Sequence, residues 1–278
     1  MTTDSGRYLV KFGGNALGGP EGLRRLAADL KAMLADGASI VLVHGGGPAI
    51  SLAMEDKGLK ARKVSGIRVT DDAALAVAEE VLQGINQEVV DALQEAGIDA
   101  LGLAGHSDGL VRCVRMAPLP EEQEDGSVEM VDLINVGEVD SVDAEALEQM
   151  LRDGILPVIY PIGATYEGER VNVNADTIAC AVAAALACDE MMLVTDVPGI
   201  LLDVKDPSSL LAEASREEVE EMIRDGIIRD GMIPKVQGCL EALEAGVRST
   251  RMVNGRDPVS ILGDLRGGSR KGTRVYMR

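Results

Sequence analysis

Two short stretches carry a basic side chain into a run of glycines, each after strand-like sequence: Lys11-Phe12-Gly13-Gly14-Asn15 and His44-Gly45-Gly46-Gly47-Pro48. Glycine lets backbone N–H groups approach an anion closely, and a helix N-terminus after such a loop adds partial positive charge. Ligands of open α/β sheets bind beyond the carboxyl ends of the strands, where both loops would open. Either loop alone reads as a tight turn. The two together, with Lys11 beside one, favour an anion site and could clamp a single phosphoryl group. Neither matches the GxxxxGK[ST] or GxGxxG fingerprints.

Three further segments suit an acidic small molecule. Gly66-Ile67-Arg68-Val69-Thr70-Asp71 sets an arginine in a β-like run before a helix, where its fork can grip a carboxylate in two places. A surface ion pair fits that segment equally well. Asn172-Val173-Asn174-Ala175-Asp176 alternates polar side chains ahead of an apolar helix, and three such groups exceed what one N-cap needs. Gly231-Met232-Ile233-Pro234-Lys235 places a lysine at a helix start, where the dipole disfavours a cation unless an anion lies nearby. The match of Gly105-His106-Ser107-Asp108-Gly109 to a GxSxG nucleophile elbow is read as coincidence. Strand-like rather than helical sequence follows it, and the only histidines, His44 and His106, both precede Ser107.

The elements that must position these residues alternate between β-branched runs and helical patterns. That signature of βαβ units predicts an α/β fold, a three-layer αβα sandwich with a central, mostly parallel sheet. Strands are expected at 8–12, 39–43, 100–103, 155–160, 191–195, 248–253 and 273–277, and helices at 21–36, 71–96, 142–152, 174–187, 216–225 and 235–245. Hairpins are expected between 111 and 136, interrupted at 121–126 by an acidic, solvated loop whose charges need no partner. No linker divides the chain, so residues 1–171 and 172–278 are expected to form two lobes of one continuous domain.

The chain has 278 residues, a net charge of −19, 46 acidic residues against 27 basic ones (19 Arg, 8 Lys), and five aromatics without tryptophan. That balance speaks against nucleic-acid or anionic-membrane partners, and the lack of stacking platforms weakens single-strand recognition further. The apolar runs are too short to span a bilayer, and the polar N-terminus shows no signal peptide, so a reducing cytoplasm is expected. Cys113, Cys180, Cys188 and Cys239 are scattered without metal-site spacing and read as buried thiols. The acidic excess suits a salt-rich interior, where screening relieves self-repulsion.

Jointly, and in this order, Lys11-Phe12-Gly13-Gly14-Asn15-Ala16, His44-Gly45-Gly46-Gly47-Pro48, Gly66 to Asp71, Gly137-Glu138-Val139, Asn172 to Asp176, Thr195-Asp196-Val197-Pro198-Gly199 and Gly231 to Lys235 resemble the amino acid kinase family. Within it the pattern is most similar to the acetylglutamate kinases. The resemblance implies ATP-dependent phosphorylation of the γ-carboxylate of N-acetyl-L-glutamate in arginine biosynthesis, with Mg²⁺ carried on the ATP phosphates and no metal site on the protein. By the same resemblance, Lys11 and Lys235 would stabilise charge on the transferring phosphoryl group, and Asp176 would hold both lysines. Gly46, Gly47, Arg68, Asn172 and Asn174 would bind the amino acid, and Gly13, Gly14, Gly45, Thr195, Asp196, Gly199 and Met232 the phosphates and nucleotide. Residues 1–171 would bind the amino acid and dimerise, and residues 172–278 would bind ATP. The chemistry is self-consistent, because a carboxylate with a pKa of about 4.3 is already a nucleophile at neutral pH and needs no general base.

Departures from the family pattern refine the expectation. The loop Ala104 to Gly109 is one residue longer than in relatives, ten residues precede Lys11, Pro258-Val259-Ser260 stands where many relatives have Pro-His-Ser, and Arg274 follows Gly272-Thr273. A homodimer without arginine feedback is therefore expected. The related kinases of carrier-protein-linked aminoadipate or glutamate, in lysine or lysine and ornithine biosynthesis, are the alternative. Their Asn-x-Asp-Gly-Asp-Gln differs from Asn172-Val173-Asn174-Ala175-Asp176-Thr177, and −19 makes a basic docking patch harder to assemble. A non-catalytic sensor would not need Lys11, Lys235 and Asp176 together.

Overall fold

A computed structural model describes residues 6–123, 125–264 and 269–278. From the N-terminus the chain runs through β1 (Arg7–Phe12), α1 (Pro20–Ala35), β2 (Ser39–His44), α2 (Gly47–Asp56), the hairpin β3 (Lys63–Val64) and β4 (Ile67–Arg68), α3 (Asp72–Glu95) and β5 (Ala100–Ala104). Next come β6 (Val111–Arg115), β7 (Leu119–Glu122), β8 (Val128–Val131), β9 (Gly137–Val142), α4 (Ala144–Arg152), β10 (Leu156–Tyr160), β11 (Ile162–Ala164), β12 (Arg170–Asn172) and α5 (Ala175–Ala185). The remainder is β13 (Glu190–Thr195), β14 (Glu213–Ser215), α6 (Arg216–Arg224), α7 (Ile233–Glu244), β15 (Ser249–Asn254), the pair β16 (Gly263–Asp264) and β17 (Ser269–Arg270), and β18 (Thr273–Tyr276).

Eight strands form one sheet in the order β14-β18-β15-β13-β1-β2-β10-β5. All neighbours are parallel except β15 and β18, so β14 and β18 run against the other six. The central strands are apolar on both faces because both are covered. Leu9, Val41 and Val43 pack with Leu147, Ile178, Val219 and Val236 of α4 to α7. Val10, Ile40 and Leu42 pack with Leu26 and Leu30 of α1 and Val89 and Leu93 of α3. The result is the expected αβα sandwich with a mostly parallel sheet. Between β13 and β15 lies a buried ion pair, Arg251 Nε donating to Glu190 Oε1 at 2.8 Å.

A second sheet, β12-β11-β6-β9, begins two residues beyond the carboxyl end of β10 and so brings Asn172 toward that edge of the large sheet. Short side chains start the helices as local chemistry dictates. Asp71 caps α3, Asp143 caps α4, Asn174 caps α5, and Ser215 with Glu218 forms a capping box on α6.

Some expectations are corrected. The acidic stretch is not a free loop, because Glu121 and Glu122 belong to β7 and Glu121 pairs with Arg62. Two residues expected in a helix from 142 lie outside it, since Val142 ends β9 and Asp143 is the cap of α4. The helix expected to reach 187 stops at Ala185, and Ala187 turns with φ +49°. Of the expected hairpins only β7 with β8 forms locally, while β6 pairs with the more distant β9 and β11.

Candidate active site

Register aligns the ends of the central strands. His44 pairs with Phe12, Phe12 with Val194, and Val194 with Val253, so β2, β1, β13 and β15 end on one line. Beyond that line the chain leaves the sheet side by side at Gly45, Gly13 and Thr195. The Gly45 N–H donates to the Phe12 carbonyl at 3.0 Å, which ties the two glycine loops together.

Tight-turn geometry does not explain these glycines, because none of Gly13, Gly14, Gly45, Gly46 and Gly47 has a positive φ. What matters is the missing side chain. A Cβ on Gly13 or Gly47 would meet nothing within 4 Å, and one on Gly14 would approach the Gly46 Cα at 3.8 Å. Gly46 sits against α3, where a Cβ would lie 2.9 Å from Leu82 Cδ2. The loops therefore abut each other and face open space. That space is a cavity of about 290 Å³ lined by Lys11, both glycine loops, Lys63, Arg68, Asn172, Asn174 and Asp176.

Lys11, at the end of β1, reaches Asp176 Oδ1 at 2.7 Å. Asp176 lies in the first turn of α5, where the helix dipole favours a carboxylate. Lys235, in the first turn of α7, pairs instead with Asp196 just beyond β13, Nζ to Oδ1 2.5 Å. The expectation that Asp176 holds both lysines is therefore corrected: each lysine has its own carboxylate. The hydrogen bond from Lys235 holds the Asp196 carboxyl below its ordinary range.

Arg68 is only 6% exposed. Its Nη2 donates to Ser51 Oγ at 2.7 Å and to the Gly47 carbonyl at 3.2 Å, and Nη1 contacts Met54 Sδ at 3.1 Å. Among the described residues no carboxylate pairs with it, and burial pulls the guanidinium below its usual pKa. Of the two readings left open by the sequence, the surface ion pair is absent. The buried charge is held by α2, a helix that sequence patterning had not delimited.

Asn172 Nδ2 donates to Thr70 Oγ1 at 3.2 Å, and its side chain lines the cavity. Asn174 accepts from the Asp176 N–H at 2.8 Å, the ordinary work of a cap. The other nucleotide candidates lie apart from this cavity. Thr195 Oγ1 accepts from the Val197 N–H at 3.2 Å, bracing the turn that carries Asp196. Gly199 has φ +139°, and a Cβ there would lie 2.5 Å from Thr273 Oγ1, so close packing explains it. Met232 precedes α7 and packs against the core that α4 to α7 share.

Ser51, Lys63 and Asn86 escaped the sequence reading, since nothing local marks them, and His44 is read there only as the start of its glycine loop. His44 is fully buried, and burial lowers its pKa to about 4. Asn86 Nδ2 donates to Nε2 at 3.1 Å, and neutral His44 offers Nδ1–H to the Gly45 carbonyl at 3.2 Å. This histidine braces the second glycine loop. His106 meets Glu79 Oε1 at 3.1 Å, and Ser107 Oγ accepts from the Ala104 N–H within a short turn that leads into β6, so no nucleophile elbow forms. The four cysteines are buried free thiols, and burial pushes Cys180, Cys188 and Cys239 up to about 12. Among the described residues no helix is long and apolar enough to cross a membrane.

Known proteins are similar to this chain in sequence and in fold. The chain is 41% identical to the acetylglutamate kinase of Symbiobacterium thermophilum over 91% of its own length and 86% of the relative's. It is 33% identical to that of Methanobrevibacter smithii over 97% and 93%. Among solved structures, smu.665 from Streptococcus mutans UA159 matches over the full length of both chains at 26% identity with a TM-score of 0.75. The sequence profile of the amino acid kinase family covers residues 6–254, and the chain belongs to that family.

Proposed function

We propose that this protein transfers the terminal phosphoryl group of ATP to the γ-carboxylate of N-acetyl-L-glutamate, a step of arginine biosynthesis. The carrying observation is a buried Arg68 that, among the described residues, has no carboxylate partner and opens onto a cavity shared with Lys11 and two glycine loops. A buried guanidinium without a counter-charge is costly, and a bound carboxylate offsets that cost. Acetylglutamate kinases at 33 to 41% identity over most of the chain support the same reading.

ATP, with Mg²⁺ on its phosphates, supplies the phosphoryl group. Asp176 and Asp196 are each engaged by a lysine, which fits a metal carried by the phosphates and not by a protein cage. Arg68 and Asn172 hold the amino acid by its α-carboxylate end, so that its γ-carboxylate faces the glycine loops. That oxygen forms a bond to the terminal phosphorus while the bond to the bridging oxygen breaks, and ADP leaves. Lys11, Lys235 and the N–H groups of the glycine loops stabilise charge on the transferring group. Asp176 and Asp196 fix where the two lysines stand.

In this reading residues 1–171 bind the amino acid and dimerise, and residues 172–278 bind ATP through the segments around Thr195, Asp196, Gly199 and Met232. A homodimer is supported by β5, a sheet edge that exposes Leu101 at 42%. Cytoplasmic residence accords with four unpaired thiols. Trapping of the acyl phosphate with hydroxylamine, with ATP and N-acetylglutamate as substrates, tests the activity. No hydroxamate above background sinks it. Light scattering tests the dimer.

A further inference from the structure

The carbonyls of the second glycine loop are turned into the protein. The Gly46 carbonyl accepts from the Ile50 N–H at 2.9 Å, and the Gly47 carbonyl accepts from Ser51 Oγ at 3.0 Å and Arg68 Nη2 at 3.2 Å. The Gly45 carbonyl is taken by His44 Nδ1. Among the described residues the N–H groups of Gly46 and Gly47 donate to nothing, and both residues line the cavity. The loop thus leaves two N–H groups for a ligand.

The Gly45 carbonyl and the Gly46 N–H belong to one peptide unit. Such a unit is planar and trans, so the two groups point in opposite directions, and whatever holds the carbonyl aims the N–H. Glycines flank this unit on both sides, and without a restraint their permissive backbone lets it turn over and present the carbonyl instead. The restraint is His44, and its neighbours fix its tautomer. The Val158 carbonyl can only accept, so the atom that meets it at 2.9 Å is the Asn86 amide nitrogen Nδ2. The same nitrogen lies 3.1 Å from His44 Nε2, which must then accept. The ring proton therefore sits on Nδ1, facing the Gly45 carbonyl at 3.2 Å. Asn86 fits because Gly102 of β5 has no side chain: a Cβ there would lie 2.1 Å from Asn86 Oδ1. Phe12 and Tyr160, on the neighbouring strands, flank the imidazole with ring centroids at 6.0 and 6.5 Å. Neither His44 nor Asn86 lines the cavity, so their effect on the reaction passes through the loop.

We propose that His44 is a positioning residue that aims the Gly46 N–H at the transferring phosphoryl group, with Asn86 fixing the tautomer this requires. The inference rests on the acyl-phosphate reading above, in which that N–H stabilises charge developing in the transition state. Losing the His44 contact weakens the transition state and leaves Arg68, which grips the amino acid, in place.

The test compares wild type, His44→Leu and His44→Asn by hydroxamate kinetics with ATP and N-acetylglutamate, alongside ¹⁵N NMR of the imidazoles in wild type. Leucine fills the buried site without a donor, whereas the asparagine amide nitrogen stands as far along the side chain as Nδ1. His44→Leu is expected to lower kcat by about 10²-fold, the scale of one lost transition-state donor, with the KM for N-acetylglutamate within about twofold of wild type. His44→Asn is expected to bring kcat back to within about tenfold of wild type. A folded His44→Leu with near-normal kcat, or a His44→Asn no faster than His44→Leu, overturns this inference alone. The chain has two histidines, and the NMR reading needs no folded leucine variant. A proton on Nδ1 and a bare Nε2 are expected for His44, and a proton on Nε2 instead overturns the proposal. Absence of acyl phosphate from wild type overturns the kinase reading as well.

Discussion

Lys11 Nζ lies 2.7 Å from Asp176 Oδ1, and this ion pair ties the end of β1 to the first turn of α5. The positive end of the helix dipole lies beside the aspartate, and the aspartate holds the lysine at the cavity. Lys235 and Asp196 make the reverse pair, with the lysine in the first turn of α7 and the aspartate just beyond β13.

Replacing Lys11 or Lys235 by alanine is expected to lower turnover by about 10²- to 10³-fold, the scale of losing one donor to the transferring group. Asp176→Asn keeps both lysines but releases Lys11, so kcat should fall more than KM rises. Hydroxamate assays on folded variants check this. Near-normal turnover of a folded Lys235→Ala removes that lysine from the mechanism.

Gly13→Ala and Gly46→Ala should separate function from stability. The new methyl at position 13 meets nothing within 4 Å, so the melting temperature should hold while catalysis drops. At position 46 it would press on Leu82 Cδ2 and Ile85 Cδ1 at 2.9 and 3.0 Å, and overpacking of that kind costs about 1–3 kcal/mol. Urea unfolding and steady-state kinetics on both variants decide. Equal loss of stability in both would contradict the open-space reading of Gly13.

Arg68→Met should raise the KM for the amino acid by about 10- to 150-fold, equivalent to a charged hydrogen bond of about 1.5–3 kcal/mol. Stability should be unchanged or higher, because an unpaired buried charge is replaced by an apolar chain. A variant that unfolds readily yet binds substrate normally would assign Arg68 to packing alone.

His44 makes stability depend on pH. Its pKa of about 4 in the folded protein lies below the ordinary 6.5, so between these values the unfolded chain binds the proton and the native chain does not. The sign follows: stability from this group is complete above about pH 6.5 and declines as pH falls toward 4, by about 3 kcal/mol in all. Urea midpoints from pH 7 to 4.5 should fall more steeply in wild type than in His44→Asn. Parallel profiles would refute the assignment.

With a net charge of −19, raising salt from about 0.1 to 1 M should raise the melting temperature, since the Debye length contracts from about 10 to 3 Å. A lower melting temperature at high salt would show that ion pairs such as Arg216 with Glu220 and Glu244 outweigh the net repulsion.

Much of this was readable along the chain because its causes are local. Strand alternation, the caps at Asp71 and Asn174, and glycine runs after strands depend on neighbours within a few residues. The order of the strands did not follow from such patterns. Neither did the pairing of β6 with β9, which closes over more than twenty residues.

By itself the sequence determined the αβα class, the two glycine loops and the candidate cations, since periodicity and glycine content act through the backbone. Only the tertiary structure decided what each charge does. Arg68 could equally have been a surface ion pair until α2 covered it, and Asp196 became the partner of Lys235 through a contact spanning 39 residues. Lys63 drew no notice in one dimension. The hairpin sets it opposite Arg68 at the rim of a cavity, and electrostatics depends on distance in space, not along the chain.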